Sequence, residues 1–79
     1  MYRLTQKAIN AINDSRPESI KALAATTVLN LSEISINRII RENEPNGDLT
    51  KKAALEVIRK VTRLKDSEIL EDVVHRVAV

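Results

Sequence analysis

The sequence predicts an all-α fold of five helices packed into one small domain spanning residues 1–79. Three observations lead there. Apolar residues form 43% of the chain and only one residue is aromatic, so the core must be built from Ile, Leu, Val and Ala. Those residues recur at intervals of three and four, which places them on one face of a helix. At 79 residues the chain is long enough for a single core and too short for two.

The first helix is expected over Tyr2–Asn13, with Leu4, Ala8, Ala11 and Ile12 on one face. The same pattern argues against a strand over Met1–Thr5, which a ribbon-helix-helix protein would need. The second helix runs from Pro17 to Leu29. Ser15 followed by Glu18 has capping-box spacing, and Pro17 falls in the first turn, where its missing N–H costs nothing. Ile20, Leu23, Ala24 and Thr27 share its inner face. Asn30, Leu31 and Ser32 form the connection that follows, and Asn is the non-Gly residue that most readily takes a left-handed conformation.

The third helix, Leu31–Asn43, begins at Ser32 as N-cap and is stopped by Pro45. Ile36, Ile39 and Ile40 form its apolar stripe, while Glu33, Asn37, Arg38 and Arg41 lie on the other side. Two amphipathic helices joined by a tight turn form a helix-turn-helix, whose second helix enters the DNA major groove. Two registers are open. If Leu23 and Ala24 fill the large-then-small pair of the first motif helix, Ile34 and Asn37 point inward and an amide is buried. If Asn30 is the turn residue, Leu31, Ile36 and Ile39 go inward and Ile34 outward. The second is preferred, because an unpaired buried amide costs ~1–3 kcal/mol.

Glu44-Pro45-Asn46-Gly47 reads as a loop and holds the only glycine. A fourth helix, capped by Asp48 or Thr50, continues to about Leu64 with Ala54, Leu55, Val57, Ile58, Val61 and Leu64 as its stripe. Lys65-Asp66-Ser67 breaks it. From Glu68 to about Val77 the chain forms either a short helix or a helix followed by a strand. The similar stretches SEIS at Ser32 and SEIL at Ser67 are read as two helix starts, not as a repeat.

Between Ser19 and Glu71 this order of signals resembles the lambda-repressor-like family of Cro and xenobiotic-response-element type. INRIIRENEPNG is similar to the end of that family's recognition helix and its loop, and LTKKAALEVIRKVTRLKDSEILED to its fourth and fifth helices. The part after Asn37 is also similar to the LacI headpiece, but a full helix ahead of the motif fits the Cro and repressor type better. Asn30 stands where the family has Gly, and Ala25-Thr26 where it has a large apolar and a small residue. The resemblance implies a sequence-specific DNA-binding regulator, a small repressor of phage or prophage kind that occupies a palindromic operator as a homodimer.

A net charge of +2 and a pI near 9.2 permit nucleic-acid binding without indicating it. Lys51, Lys52, Arg59, Lys60, Arg63 and Lys65 face only Glu56 across their stretch; the plainer reading is a solvated face with Lys52–Glu56 and Glu56–Lys60 pairs. Base contacts are expected from Glu33, Ile34, Asn37 and Arg38, with the Arg38 fork matching guanine O6 and N7. Its plainer role is a phosphate contact or a salt bridge to Glu42. Phosphate contacts are expected from Lys21, Ser32, Arg41, Lys51 and Lys52. Val73, Val74, Val77 and Val79, within the C-terminal segment 66–79, are the expected dimer interface.

Enzymatic readings find little support. His75 is the only histidine, there is no cysteine, and one glycine cannot build a phosphate-cradling loop. Neither cofactor, metal nor small-molecule ligand is expected. The chain also lacks an apolar run of the ~18–20 residues that span a bilayer, so a cytoplasmic location away from membranes is expected. The competing reading is a helical protein–protein module, antirepressor-like, that keeps the fold without reading DNA.

Overall fold

The computed structural model describes residues 1–73. Strand β1 (Tyr2–Leu4) is followed by α1 (Gln6–Asp14), α2 (Glu18–Ala25), α3 (Glu33–Glu42), a 3₁₀ turn at Asp48–Thr50, α4 (Lys52–Thr62), α5 (Asp66–Ile69) and strand β2 (Leu70–Asp72). The two strands pair antiparallel, with Tyr2 opposite Asp72, Arg3 opposite Glu71 and Leu4 opposite Leu70. The domain is therefore mostly helical, with five α-helices as expected; the small two-stranded sheet is an addition, and it corrects the expectation that the first helix begins at Tyr2.

Thr5 explains why the first helix starts late. Its hydroxyl accepts from the Ala8 N–H at 3.0 Å, which makes it the N-cap of α1. Its own N–H donates to the Ile69 carbonyl at 2.8 Å and ties the junction to α5. Upstream of Thr5 the chain is extended, and Leu4 enters the core from the end of a strand rather than from a helical face. The ladder continues beyond the strands where Val73 N–H donates to Met1 carbonyl, and Arg3 Nε donates to Glu71 Oε1 at 3.3 Å across the pair.

The other edge of β1 is closed by asparagine side chains. Asn43 Oδ1 accepts from Leu4 N–H at 3.2 Å, and Asn43 Nδ2 donates to Leu4 carbonyl at 3.0 Å. Asn46 repeats the device one pleat away: its N–H donates to Tyr2 carbonyl at 2.7 Å, and its Oδ1 accepts from Tyr2 N–H at 3.3 Å. These bonds satisfy strand groups that would otherwise present an open edge.

Ser15 does not build the expected capping box. Its hydroxyl donates back to Ala11 carbonyl at 2.9 Å, and the residue closes α1 instead of opening α2. Pro17 is the N-cap of α2 and makes no side-chain bond there. Buried Ser19 donates to Ile12 carbonyl at 2.7 Å, joining α1 to α2. Helix α2 then ends at Ala25 and not at Leu29, with the Thr26 N–H and hydroxyl bonded back to Leu23 and Ala22 carbonyls. The connection to α3 is accordingly residues 26–32 rather than three residues, and Thr27, expected inward, is exposed. Asn30 does take the left-handed conformation, at φ 51°.

Helix α3 has the ends that its sequence implies. Ser32 Oγ accepts from Ser35 N–H at 3.1 Å, while left-handed Asn43, at φ 43°, donates its N–H to Ile39 carbonyl. The helix is thus already closed two residues before Pro45. Asp48 and Thr50 do not cap α4. Thr50 turns back to Gly47 carbonyl, Asp48 pairs with Lys51 at 3.2 Å, and Lys51 is an N-cap without a side-chain bond. Helix α4 ends at Thr62 because Arg63 turns left-handed at φ 61°.

The core lies where α2, α3 and α4 meet over α1 and the sheet. Leu4, Ile12, Leu23, Ile36, Leu49, Ile58 and Ile69 are almost wholly buried, each worth ~1.5–3 kcal/mol of transfer free energy. After α5 the chain becomes strand β2, so of the two sequence alternatives the helix-then-strand form is present, with the helix confined to Asp66–Ile69. Glu68 anchors that corner: the Lys7 ammonium beside it and the Lys65 N–H it accepts hold its carboxyl below the ordinary value of 4.5. Among the described residues no helix is long and apolar enough to cross a membrane.

Candidate nucleic-acid interface

Helix α3 is held by one side and open on the other. Ile36 and Ile40 are buried and Ile39 and Leu31 pack against the core, which fixes the helix against its neighbours. The residues turned away from that contact are Glu33, Ile34, Arg38 and Arg41, all exposed, with Asn37 half-buried beside them. On a period of 3.6, Ile34, Asn37, Arg38 and Arg41 fall at i, i+3, i+4 and i+7 and form one stripe. Ile34 is 82% exposed. Ile34 therefore points outward, as expected with Asn30 in the turn, and no amide has been sunk into the core.

The electrostatics of the stripe follow from which cations are already used. Arg3, Lys7, Lys51 and Arg59 each lie within 4.0 Å of a carboxylate. Among the described residues Arg38 and Arg41 make no such pair, so of the two plainer roles for Arg38 the salt bridge to Glu42 is not adopted. Arg38 shares a shallow recess with Glu42, Glu44 and Asp48, which lower the potential on that flank without contacting it.

The expected phosphate-binding residues are less uniform. Lys21 on α2 and Lys52 at the start of α4 are exposed, and neither is paired among the described residues. Lys51 is committed to Asp48. The Ser32 hydroxyl accepts from Ser35 N–H and donates to Ser35 Oγ at 3.0 Å, so its first role is to start α3. The i,i+4 pairs expected of Glu56 with Lys52 and Lys60 are absent among the described residues. Lys51, Lys52 and Glu56 instead border a groove in which Val28, 82% exposed, and Leu29 supply apolar wall. Sequence reading missed this apolar knuckle in the α2–α3 connection, because it placed Val28 and Leu29 inside a helix.

Of the residues expected at a dimer contact, Val73 is half-buried beside Met1, and Val74, Val77 and Val79 lie outside the described residues, as does His75. No group of three His, Cys, Asp or Glu side chains that could hold a metal ion occurs among the described residues. The chain matches no family model, no curated protein and no solved structure.

Proposed function

We propose that the chain is a cytoplasmic, sequence-specific DNA-binding regulator of lambda-repressor-like helix-turn-helix type, in which α2 braces α3 and α3 is laid into the major groove. The observation that carries this reading is the outward stripe of α3: Ile34, Arg38 and Arg41 uncovered, with both guanidinium groups free of carboxylate partners among the described residues. In the groove Arg38 reads a guanine edge, Ile34 meets a thymine methyl, Asn37 and Glu33 reach the neighbouring bases, and Arg41, Lys21 and Lys52 neutralise phosphates. Two copies on a palindromic operator set two such helices ~34–36 Å apart, and the bound pair represses by occupying the site. The test is selection from sheared genomic DNA followed by binding across a salt series. A preferred sequence and an affinity that falls steeply with salt support the reading; no complex at low salt removes it.

A second reading has its own observation. Helix α3 carries Glu33 and Glu42 against Arg38 and Arg41 and so has no net charge, while Val28 and Ile34 are both 82% exposed. A protein-binding face of antirepressor type fits those facts, and the same salt series separates the two.

A further inference from the structure

The two flanks of α3 differ in charge. The flank toward the loop holds Glu42, Glu44 and Asp48 around Arg38. The opposite flank looks onto α1 across a groove of about 390 Å³ with no acidic residue in its lining. Ile9 and Ile40 form the apolar part of this groove, Arg16 comes from the end of α1 and Arg41 from α3, and the polar remainder is amide.

The hydrogen bonds already made decide what that groove presents. Arg16 Nε donates to Asn13 Oδ1 at 2.9 Å, which orients the guanidinium and leaves its terminal nitrogens and the Asn13 NH₂ free to donate. Asn43 spends both its side-chain atoms on Leu4, and Gln6 donates to Asn10 Oδ1. The Arg41 guanidinium and the Asn37 amide have no hydrogen-bond partner among the described residues. The unspent groups are thus the terminal nitrogens of Arg16, the Arg41 guanidinium, the Asn13 NH₂, the Asn37 amide and the Gln6 Oε1, so donors outnumber the two acceptor oxygens. That composition suits an anion with several acceptor oxygens. Asn37 and Arg41 also belong to the outward stripe of α3, so the groove continues directly from the face proposed to read bases.

We propose that the α1–α3 groove is a phosphodiester site, in which Arg16 and Arg41 with Asn13 hold the backbone of one strand of duplex DNA, next to Asn37 on the base-reading stripe. The proposal rests on the DNA-binding reading and makes it directional. The backbone runs on the α1 side of α3, and the acidic flank with Glu42, Glu44 and Asp48 faces away from it. Arg16 and Asn13 then act on affinity alone, since phosphate contacts carry no sequence information.

The test measures binding of the full chain to its selected duplex between 50 and 200 mM salt, with Arg16→Ala, Arg16→Lys and Asn13→Asp compared to wild type and circular dichroism checking the fold. Removing one phosphate contact makes the slope of log affinity against log salt shallower by about 0.9, so the deficit of Arg16→Ala shrinks about 3.5-fold over that range. Base preference is unchanged, Arg16→Lys is close to wild type, and Asn13→Asp binds more weakly than Arg16→Ala because it adds a carboxylate to the site. Wild-type binding with Arg16→Ala and Asn13→Asp indistinguishable from it overturns the groove and leaves the DNA reading standing. Wild type without any DNA complex overturns both. A third arm titrates inorganic phosphate and a poly-glutamate peptide: Arg16-dependent binding of either, with Arg16-independent binding of DNA, assigns the groove to a free anion or acidic peptide and also overturns the proposal.

Discussion

Replacing Asn43 tests the joint between helix α3 and the sheet. This residue has two separable jobs: it closes α3 in a left-handed conformation at φ 43°, and its amide makes two bonds, 3.2 and 3.0 Å, to the backbone of buried Leu4. Asn43→Gly keeps the first job and removes the second. Two neutral hydrogen bonds at ~1 kcal/mol each predict a loss of about 2 kcal/mol. Asn43→Ala removes both, and the left-handed conformation costs a Cβ-bearing residue about 1–2 kcal/mol more, for a loss of about 3–4 kcal/mol. A domain of 79 residues has about 4–12 kcal/mol in total, so the alanine variant sits near the edge of folding. In urea, where small domains have slopes of about 1 kcal/mol/M, the midpoint falls by about 2 M for glycine and further for alanine. Far-ultraviolet circular dichroism reads both transitions. A glycine variant as stable as wild type shows that the clamp on Leu4 contributes nothing, and alanine equal to glycine removes the left-handed cap from the account.

Three further outcomes are expected. Asn30→Gly raises stability or leaves it unchanged, because Asn30 has φ 51° and glycine relieves the side-chain clash there; thermal melts decide, and a loss of about 1 kcal/mol contradicts the left-handed turn. Arg38→Ala weakens operator binding by about 1–3 kcal/mol and relaxes preference at one base pair per half-site; an equal loss on every sequence makes Arg38 a phosphate contact instead. Glu68 has its carboxyl lowered by the Lys7 ammonium and the Lys65 N–H, so its folded-state value lies below its unfolded one. Its stabilising effect is present above the ordinary value of 4.5 and disappears as the pH falls through the lowered one. Glu68→Gln therefore flattens the acid limb of the stability profile, as measured by denaturation between pH 3 and pH 6; an unchanged acid limb refutes the assignment.

The legible parts of this fold were those written in local signals. Ser32 ahead of Glu33, the stripe Ile36-Ile39-Ile40 and the left-handed preference of Asn30 determined α3 and its outward face, because capping and periodicity act within a turn or two. Strand β1 was misread because Leu4, Ala8 and Ile12 happen to share helical spacing. What makes Tyr2–Leu4 a strand is a partner at Leu70–Asp72 and the amides of Asn43 and Asn46, and none of these is visible from inside the segment. The capping box failed for a related reason: the Ser15 hydroxyl had a nearer acceptor in Ala11 carbonyl, one turn back on α1. At the candidate site the exposed stripe could be read from periodicity alone. The commitment of Lys51 to Asp48 and the acid-free groove beside α1 depended on how separate segments meet.

The pairing of β1 with β2 also bears on the order in which the domain assembles. Arg3 and Glu71 are 68 residues apart, and closing a chain segment of that length costs about 4 kcal/mol of entropy before any ladder bond repays it. The contacts of α2 with α3 and α4 close shorter segments and so cost less entropy, by ~0.6 kcal/mol for each halving of length. In kinetic terms the strands are a late-closing zip: substitutions at Tyr2, Arg3 or Glu71 speed unfolding and leave the refolding rate nearly untouched, whereas substitutions at Leu23 or Ile36 slow refolding. The helix pair that carries the proposed reading face is then in place early in refolding, before the two ends of the described chain meet.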